Sequence, residues 1–505
     1  MSKTKTIVSG VSWSIIQNIA SILYGIVSVP FLISYFGKSE YGLIGLAMSV
    51  NVYIQLMDMG MSSTNVKFFS EFLVKGDSDK TQRLFSTMHF LYLIIGVVNS
   101  IVLFVLSFFV SYLFKVSPEQ AIILKNLLII LGLNAVFSWI SACYDQFLQA
   151  NDLLDWTRKR MTLLKVLQFV VLLCTITFGL SIEIYFFLYV FMVTLILPLS
   201  IRKVSIIAPD MKRNFSFNNT IFKLVFPFAI SIFSFSIFQF LTLNFRPLIL
   251  GNMAGPDSVA EYNVMNSIAL VVTVFSSSFI QVLIPIVTKA RVTSDQVTIS
   301  IVMKEGTKYV TILLASVIFL LVLSVKEIVI LYVGDGFVNL SRWIVVWLLT
   351  LLLSHRNAMT SMVFTENNLK SVVVMSFVAM IFAMTCYFML VPKLGVGGVV
   401  VGFAIHELIH TLFYYIYFLP RKFSINTGVI FVKSVLPVIF ILGVITFTVS
   451  IIFKNIHVNV FADLIFKSMS AVVLYVFSIW YILLDKTDKA RVRSFILNHN
   501  TNKPV

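Results

Sequence analysis

The chain has 505 residues, of which 59% are apolar and only 12% charged, and its formal charge is +16. Soluble domains carry about 25% charged residues, so this composition excludes a soluble globular protein. Nucleic-acid binding is excluded as the source of the charge, because no basic, aromatic-rich domain stands outside the apolar runs; basic loops beside a bilayer account for it.

A spanning helix needs ~20 mostly apolar residues. Lys3 and Lys5 precede a first run that is too long for a signal peptide and has no A-x-A-like site, so it predicts a retained helix. Fourteen spans are predicted. Six start near Gly10, Tyr41, Leu84, Ala121, Met161 and Ile184, and six near Leu224, Ala260, Lys308, Trp343, Ser371 and Val396. The last two start near Val429 and Ala462. Residues 66–83 and 326–333 are amphipathic and suit the interface. Cys143, Cys174 and Cys386 all lie in apolar segments without metal-ligand spacing, as buried small residues do. The expected fold is an all-α integral membrane protein. It has a six-helix lobe over 1–210, a second over 211–423, two further helices over 424–485 and a tail over 486–505.

Orientation follows from Lys and Arg. With the N-terminus cytoplasmic, 29 of the 38 basic residues fall on the cytoplasmic side, 8 on the other, and Arg246 within a helix. The cytoplasmic set includes Arg158-Lys159-Arg160, Arg202-Lys203, Lys212-Arg213, Arg421-Lys422 and the tail. This asymmetry places both termini in the cytoplasm.

Short signals recur at offsets near 220 residues. Glu40-Tyr41 matches Glu261-Tyr262, Asn151-Asp152-Leu153 matches Asn367-Asn368-Leu369, and Pro198 with Arg202-Lys203 matches Pro420-Arg421-Lys422. Their order predicts two six-helix halves of one orientation, a transporter symmetry that puts the site between the halves.

Polar stripes point to a cavity. Ser14, Gln17, Asn18, Ser21, Gly25 and Ser28 share a face of the first helix, and Asn51, Gln55, Asp58 and Ser62 share one of the second. Ser231, Ser234, Gln239, Thr242 and Arg246 do so in the seventh, and Asn263, Asn266, Ser267, Thr273, Ser277 and Gln281 in the eighth. Polar groups facing lipid lack partners, so these stripes face protein or water. Either interhelical hydrogen bonding or a wet cavity satisfies them. Arg246 is expected near the outer interface, where it snorkels to head groups or faces the cavity to attract an anion.

The run Ile54-Gln55-Leu56-Met57-Asp58-Met59-Gly60-Met61-Ser62-Ser63 resembles the end-of-second-helix motif of polysaccharide transporters. Leu248-Ile249-Leu250-Gly251 followed by Glu261-Tyr262-Asn263 is similar to the same group. That group belongs to the multidrug/oligosaccharidyl-lipid/polysaccharide exporter superfamily, and the chain resembles its Wzx-type O-antigen flippases over nearly its whole length. The resemblance implies two helical lobes with alternating access. It also implies flipping of undecaprenyl-pyrophosphate-linked oligosaccharide across a bacterial inner membrane. Polysaccharide polymerase and chain-length machinery are the implied partners, beside membrane lipids. It implies no cofactor and no enzymatic step. Many relatives carry an acidic residue where this chain has Arg246, a departure that favours an anion there. The expected substrate-binding residues are Arg246, Gln239, Thr242, Gln17, Asn18, Asn51, Gln55, Asn263 and Asn266. A drug or ion antiporter of the same fold is the alternative.

His406-Glu407-Leu408-Ile409-His410 points to another class. It fits H-E-x-x-H, in which two histidines one turn apart bind zinc and Glu acts as general base. A catalytic zinc needs a third protein ligand, and the nearest, Asp335, is expected outside the membrane. The intramembrane zinc protease is therefore the competing reading, and a coupling relay through His406, Glu407 and His410 another. Asp58 suits either cation coupling or a helix cap. Arg356 and His355, near the end of the tenth helix, suit snorkelling.

Overall fold

The computed structural model describes residues 3–211, 214–292, 296–360, 362–363, 370–454, 459–486 and 488–490. Side chains of residues 3–11 and of most residues between 274 and 298 are outside that description. So are Lys212-Arg213, Asn367-Asn368-Leu369, most of the tail, and the side chains of Ser231, Ser277 and Gln281.

All described regular structure is helical. In hydrocarbon every backbone polar group needs an internal partner, and a helix supplies it within one segment. Eleven described helices are long and apolar enough to cross a bilayer, and twelve if the bent pair Lys38–Asp58 and Met61–Val74 is one span. The expected seventh and eighth spans fall on helices Asn219–Asn244 and Pro256–Val292, of 26 and 37 residues, whose side chains are described in part.

The chain forms two compact units, Met1–Ser267 with Met384–Val399, and Ile268–Ala383 with Val400–Val505. The first contains α1 (Lys3–Phe36), α2 (Lys38–Ile54), α3 (Met61–Val74), α4 (Ser78–Phe108), α5 (Pro118–Ala150), α6 (Leu154–Phe178) and α7 (Ile182–Ile207). It also holds α8 (Asn219–Asn244), α9 (Arg246–Met253) and the start of α10 (Pro256–Val292). Several helix starts carry side-chain caps. Ser117 and Gln120 form a capping box on α5, and Ser181 and Asn218 cap α7 and α8. Phe69, Phe85, Tyr92 and Phe147 centre a core to which α3, α4 and α5 contribute.

Turns expected on opposite sides of a bilayer gather at opposite ends of this unit. At one end the Lys115 N–H donates to Gly251 O (3.0 Å), Gln120 Nε2 to Ser39 Oγ (2.6 Å), and Lys38 pairs with Glu261 (2.7 Å). At the other, the Asn218 N–H donates to Thr87 Oγ1 (3.1 Å). The second span breaks where Met59 and Gly60 both take left-handed backbone (φ 47° and 77°), and α3 leaves at 43°. Above the break α2 meets α10 at van der Waals range. A Cβ on Gly42 would stand 2.0 Å from the Pro256 backbone oxygen, so only glycine permits the approach there, and Gly45 faces the Asn263 side chain in the same seam.

The second unit contains α11 (Gln296–Leu323), α12 (Val325–Val333), α13 (Ser341–Leu351), most of α14 (Lys370–Leu394) and α15 (Val396–Leu412). It ends with α16 (Leu419–Phe423), α17 (Leu436–Phe453) and α18 (Val460–Ser478). Ion pairs mark both ends. Lys467 of α18 bridges Glu327 of α12 (2.8 Å) and Asp463 (2.7 Å), and Lys308 of α11 holds Asp488 (2.6 Å). The span containing α13 tightens into a 3-10 turn at Leu352–Arg356, and α15 runs into a π-turn at Phe413–Phe418.

Candidate functional site

A cavity of about 600 Å³ lies inside the first unit. Asn51, Gln55, Asp58 and Ser62 line it from the broken second span, and Asn99 from α4. Asn134 and Ser138 come from α5, Lys165 and Gln168 from α6, with Met48, Leu131, Trp139 and Phe240 between them. Amides, hydroxyls and a few aromatic faces are what sugar recognition uses, and the volume falls within the ~300–1,000 Å³ usual for ligand sites.

The break in the second span positions Asp58. Its carboxylate accepts the Ser62 N–H (3.1 Å), the Ser62 hydroxyl (2.9 Å) and the Tyr92 hydroxyl (3.0 Å). Gln146 donates onward to Ser62 Oγ (3.0 Å) and Tyr92 Oη (2.9 Å), and accepts from Asn65 Nδ2 (2.8 Å). The network fixes the first turn of α3 while leaving Asp58 on the cavity wall.

Lys165 is the cation of the cavity. Its Nζ donates to Gln168 Oε1 (3.1 Å) and lies 5.2 Å from the centre of the Tyr24 ring. Among the described residues it forms no ion pair. Arg160, just over one turn earlier in α6, differs. It is buried, pairs with Asp145 and donates to Ser141 Oγ (3.2 Å), while the Ser200 hydroxyl donates to Asp145 Oδ1 (3.2 Å). The Arg160 charge is therefore neutralised within the fold, and the Lys165 charge has no such partner among the described residues.

Of the residues expected to bind substrate, Asn51 and Gln55 line this cavity. The others stand elsewhere. Arg246 opens α9 and is buried at 4% exposure, with Nε donating to Thr242 O (3.4 Å). Thr242 is buried and donates to Phe238 O (2.9 Å), and Gln239 is exposed. Gln17 donates to Ser21 Oγ (3.0 Å) and accepts from Arg158 (3.3 Å), beside an exposed Asn18. Asn263 meets Gly45 of α2, and Asn266 is exposed. The sequence reading missed Lys165, Asn99, Asn134, Ser138 and Gln168. Lys165-x-x-Gln168, a polar pair on one face inside a span, was the available signal, hidden because Lys165 passes as one more residue of the basic edge at 158–160.

In the second unit the H-E-x-x-H residues do not form a zinc peptidase arrangement. Both Glu407 oxygens are engaged by the Arg356 guanidinium, so the carboxylate is not held ready as a base over a metal. His406 Nδ1 lies 3.3 Å from Glu407 Oε1, and the His406 and His410 rings pack at 4.4 Å, tilted by 40°. Both Nε2 atoms are buried without a hydrogen-bond partner among the described residues. Among the described residues no three His, Cys, Asp or Glu side chains group as a metal site would require. The snorkelling expected of Arg356 and His355 is corrected, since both are buried. His355 bridges Leu352 O (2.7 Å) and the Tyr415 hydroxyl (2.8 Å).

No curated protein sequence matches the chain at a significant level. Among solved structures, the lipid II flippase MurJ in an inward closed conformation is similar at a TM-score of 0.74 and 16% identity, covering 93% of this chain and 99% of its own. An inward-facing multidrug resistance MATE family transporter of the MOP superfamily is similar at 0.66 and 14%, covering 83% and 96%. These likenesses establish a shared fold. Residues 7–291, more than half of the sequence, match the model of the polysaccharide biosynthesis protein family. The chain is a multi-pass, all-helical membrane protein of MurJ- and MATE-like fold, and it belongs to the polysaccharide biosynthesis protein family.

Proposed function

We propose that this protein is a flippase. It carries undecaprenyl-pyrophosphate-linked oligosaccharide, an O-antigen or related surface-polysaccharide repeat unit, from the cytoplasmic to the outer leaflet of a bacterial inner membrane. Both termini face the cytoplasm, the two lobes alternate access, and the cargo is moved without chemical change. A polymerase and chain-length machinery act on the delivered unit.

The observation that carries this reading is Lys165 on the wall of a polar cavity without a carboxylate partner among the described residues. A cation beside low-dielectric walls is costly unless an anion meets it. A pyrophosphate supplies that anion, and Asn51, Gln55, Asn99 and Asn134 offer donors and acceptors to the attached sugars. A charge-assisted hydrogen bond contributes ~1.5–3 kcal/mol, enough to select a pyrophosphate-linked cargo over a neutral one.

The test is flipping of a fluorescent short-chain prenyl-pyrophosphoryl oligosaccharide in vesicles holding the full chain. Lys165→Ala should slow flipping roughly tenfold to a hundredfold, Lys165→Arg should retain part of the rate, and Lys165→Glu should abolish it. Equal rates in all three variants would end the reading. So would a wild-type protein that flips a neutral glycolipid equally well.

A further inference from the structure

We infer that the second unit carries a groove for an anionic phospholipid, between the start of α14 and the segment joining α15 to α16. The groove encloses about 620 Å³. One wall presents Lys370, Val374 and Val378, spaced by one helical turn each, so the face passes from cationic to apolar over about 12 Å. The opposite wall runs antiparallel and presents Phe413, Tyr417 and then Lys422. Both walls are therefore cationic at the same end and apolar at the other. That is the profile of a phospholipid, with a head group at the mouth and acyl chain along the floor.

Three further observations fit a phosphate at the mouth. The Arg421 guanidinium stacks on the Tyr417 ring at 4.9 Å, which brings a third positive charge to the rim. The Ser371 hydroxyl, also lining the groove, is buried and has no hydrogen-bond partner among the described residues. A phosphate oxygen would accept from it. Val374 and Val378 are 53% and 39% exposed, so their wall presents bare hydrocarbon to whatever fills the groove. Basic pockets between spans on the cytoplasmic side suit anionic head groups, and Arg421-Lys422 belongs to the cytoplasmic set of the charge asymmetry. The inference does not depend on which cargo the first unit carries.

Native mass spectrometry of the full chain, released from nanodiscs with equal phosphatidylglycerol and phosphatidylcholine, tests the groove. Wild type should retain phosphatidylglycerol preferentially. Lys370→Ala with Lys422→Ala should lower that retention about 25-fold, at about fivefold per lysine. Ser371→Ala should lower it less while leaving the elution profile of the folded protein intact. Lys223→Ala, in the first unit, should change nothing. Equal retention of the two lipids by wild type, or undiminished phosphatidylglycerol on a folded double variant, would overturn the inference. Stoichiometric displacement of phosphatidylglycerol by an added prenyl pyrophosphate would also overturn it, because the groove would then belong to the cargo.

Discussion

The polar cavity of the first unit and the polar cluster around Glu407 in the second differ in whether their cations are neutralised. Arg356 is locked onto Glu407, and its neighbour Asn357 donates to Ser276 Oγ (2.6 Å). Lys165 meets an amide and an aromatic ring. A buried ion pair is complete in itself, whereas an unpaired cation on a cavity wall retains its capacity for an anion. The more conspicuous sequence motif, H-E-x-x-H, thus sits where the cation is already neutralised. The cavity that holds Lys165 sits where the sequence looked ordinary.

Breaking the pair should produce the largest effect. Arg356→Ala or Glu407→Ala should each destabilise the protein by ~3–5 kcal/mol, because each strands a buried charge. Arg356→Met with Glu407→Met should recover most of that loss. Equilibrium unfolding in detergent measures all three, and single variants as stable as wild type would show that the pair holds nothing. Lys165→Ala should behave oppositely, with transport slowed as described above and the same unfolding curve shifted by less than ~1 kcal/mol.

Smaller effects sharpen the contrast. Asp58→Ala removes the acceptor of the Ser62 N–H at the start of α3 and should cost ~1 kcal/mol, as a lost helix cap does. Asp58→Asn should recover part of this, and an unchanged melting temperature in Asp58→Ala would show that the break is held by its backbone alone. The smallest change is expected from His406→Leu with His410→Leu. Replacing two unpartnered buried nitrogens by hydrocarbon should shift stability by less than ~1 kcal/mol. A large transport loss in that folded variant would make the histidine pair part of the cycle and close the distinction between the two regions.

The helical class, the alternation of turns between two ends and the amphipathic α12 were legible in the chain itself. A bilayer requires long apolar helices and basic loops, and both requirements are written locally, within some twenty residues. The break at Met59-Gly60 and the caps at Ser117 and Asn218 are equally local. Which polar residues share a space is not local. Lys165 meets the cavity through helices that bring residues 51 to 193 together, and Glu407 loses its catalytic look to an arginine 51 positions earlier. Arg246 lay on a convincing polar stripe, and it is buried, with Nε donating to the Thr242 carbonyl of the preceding turn. Helical periodicity fixes the angle between side chains on one helix, but the direction that face takes is set by packing against neighbours. Only the tertiary structure therefore decided which charges are satisfied and which remain available.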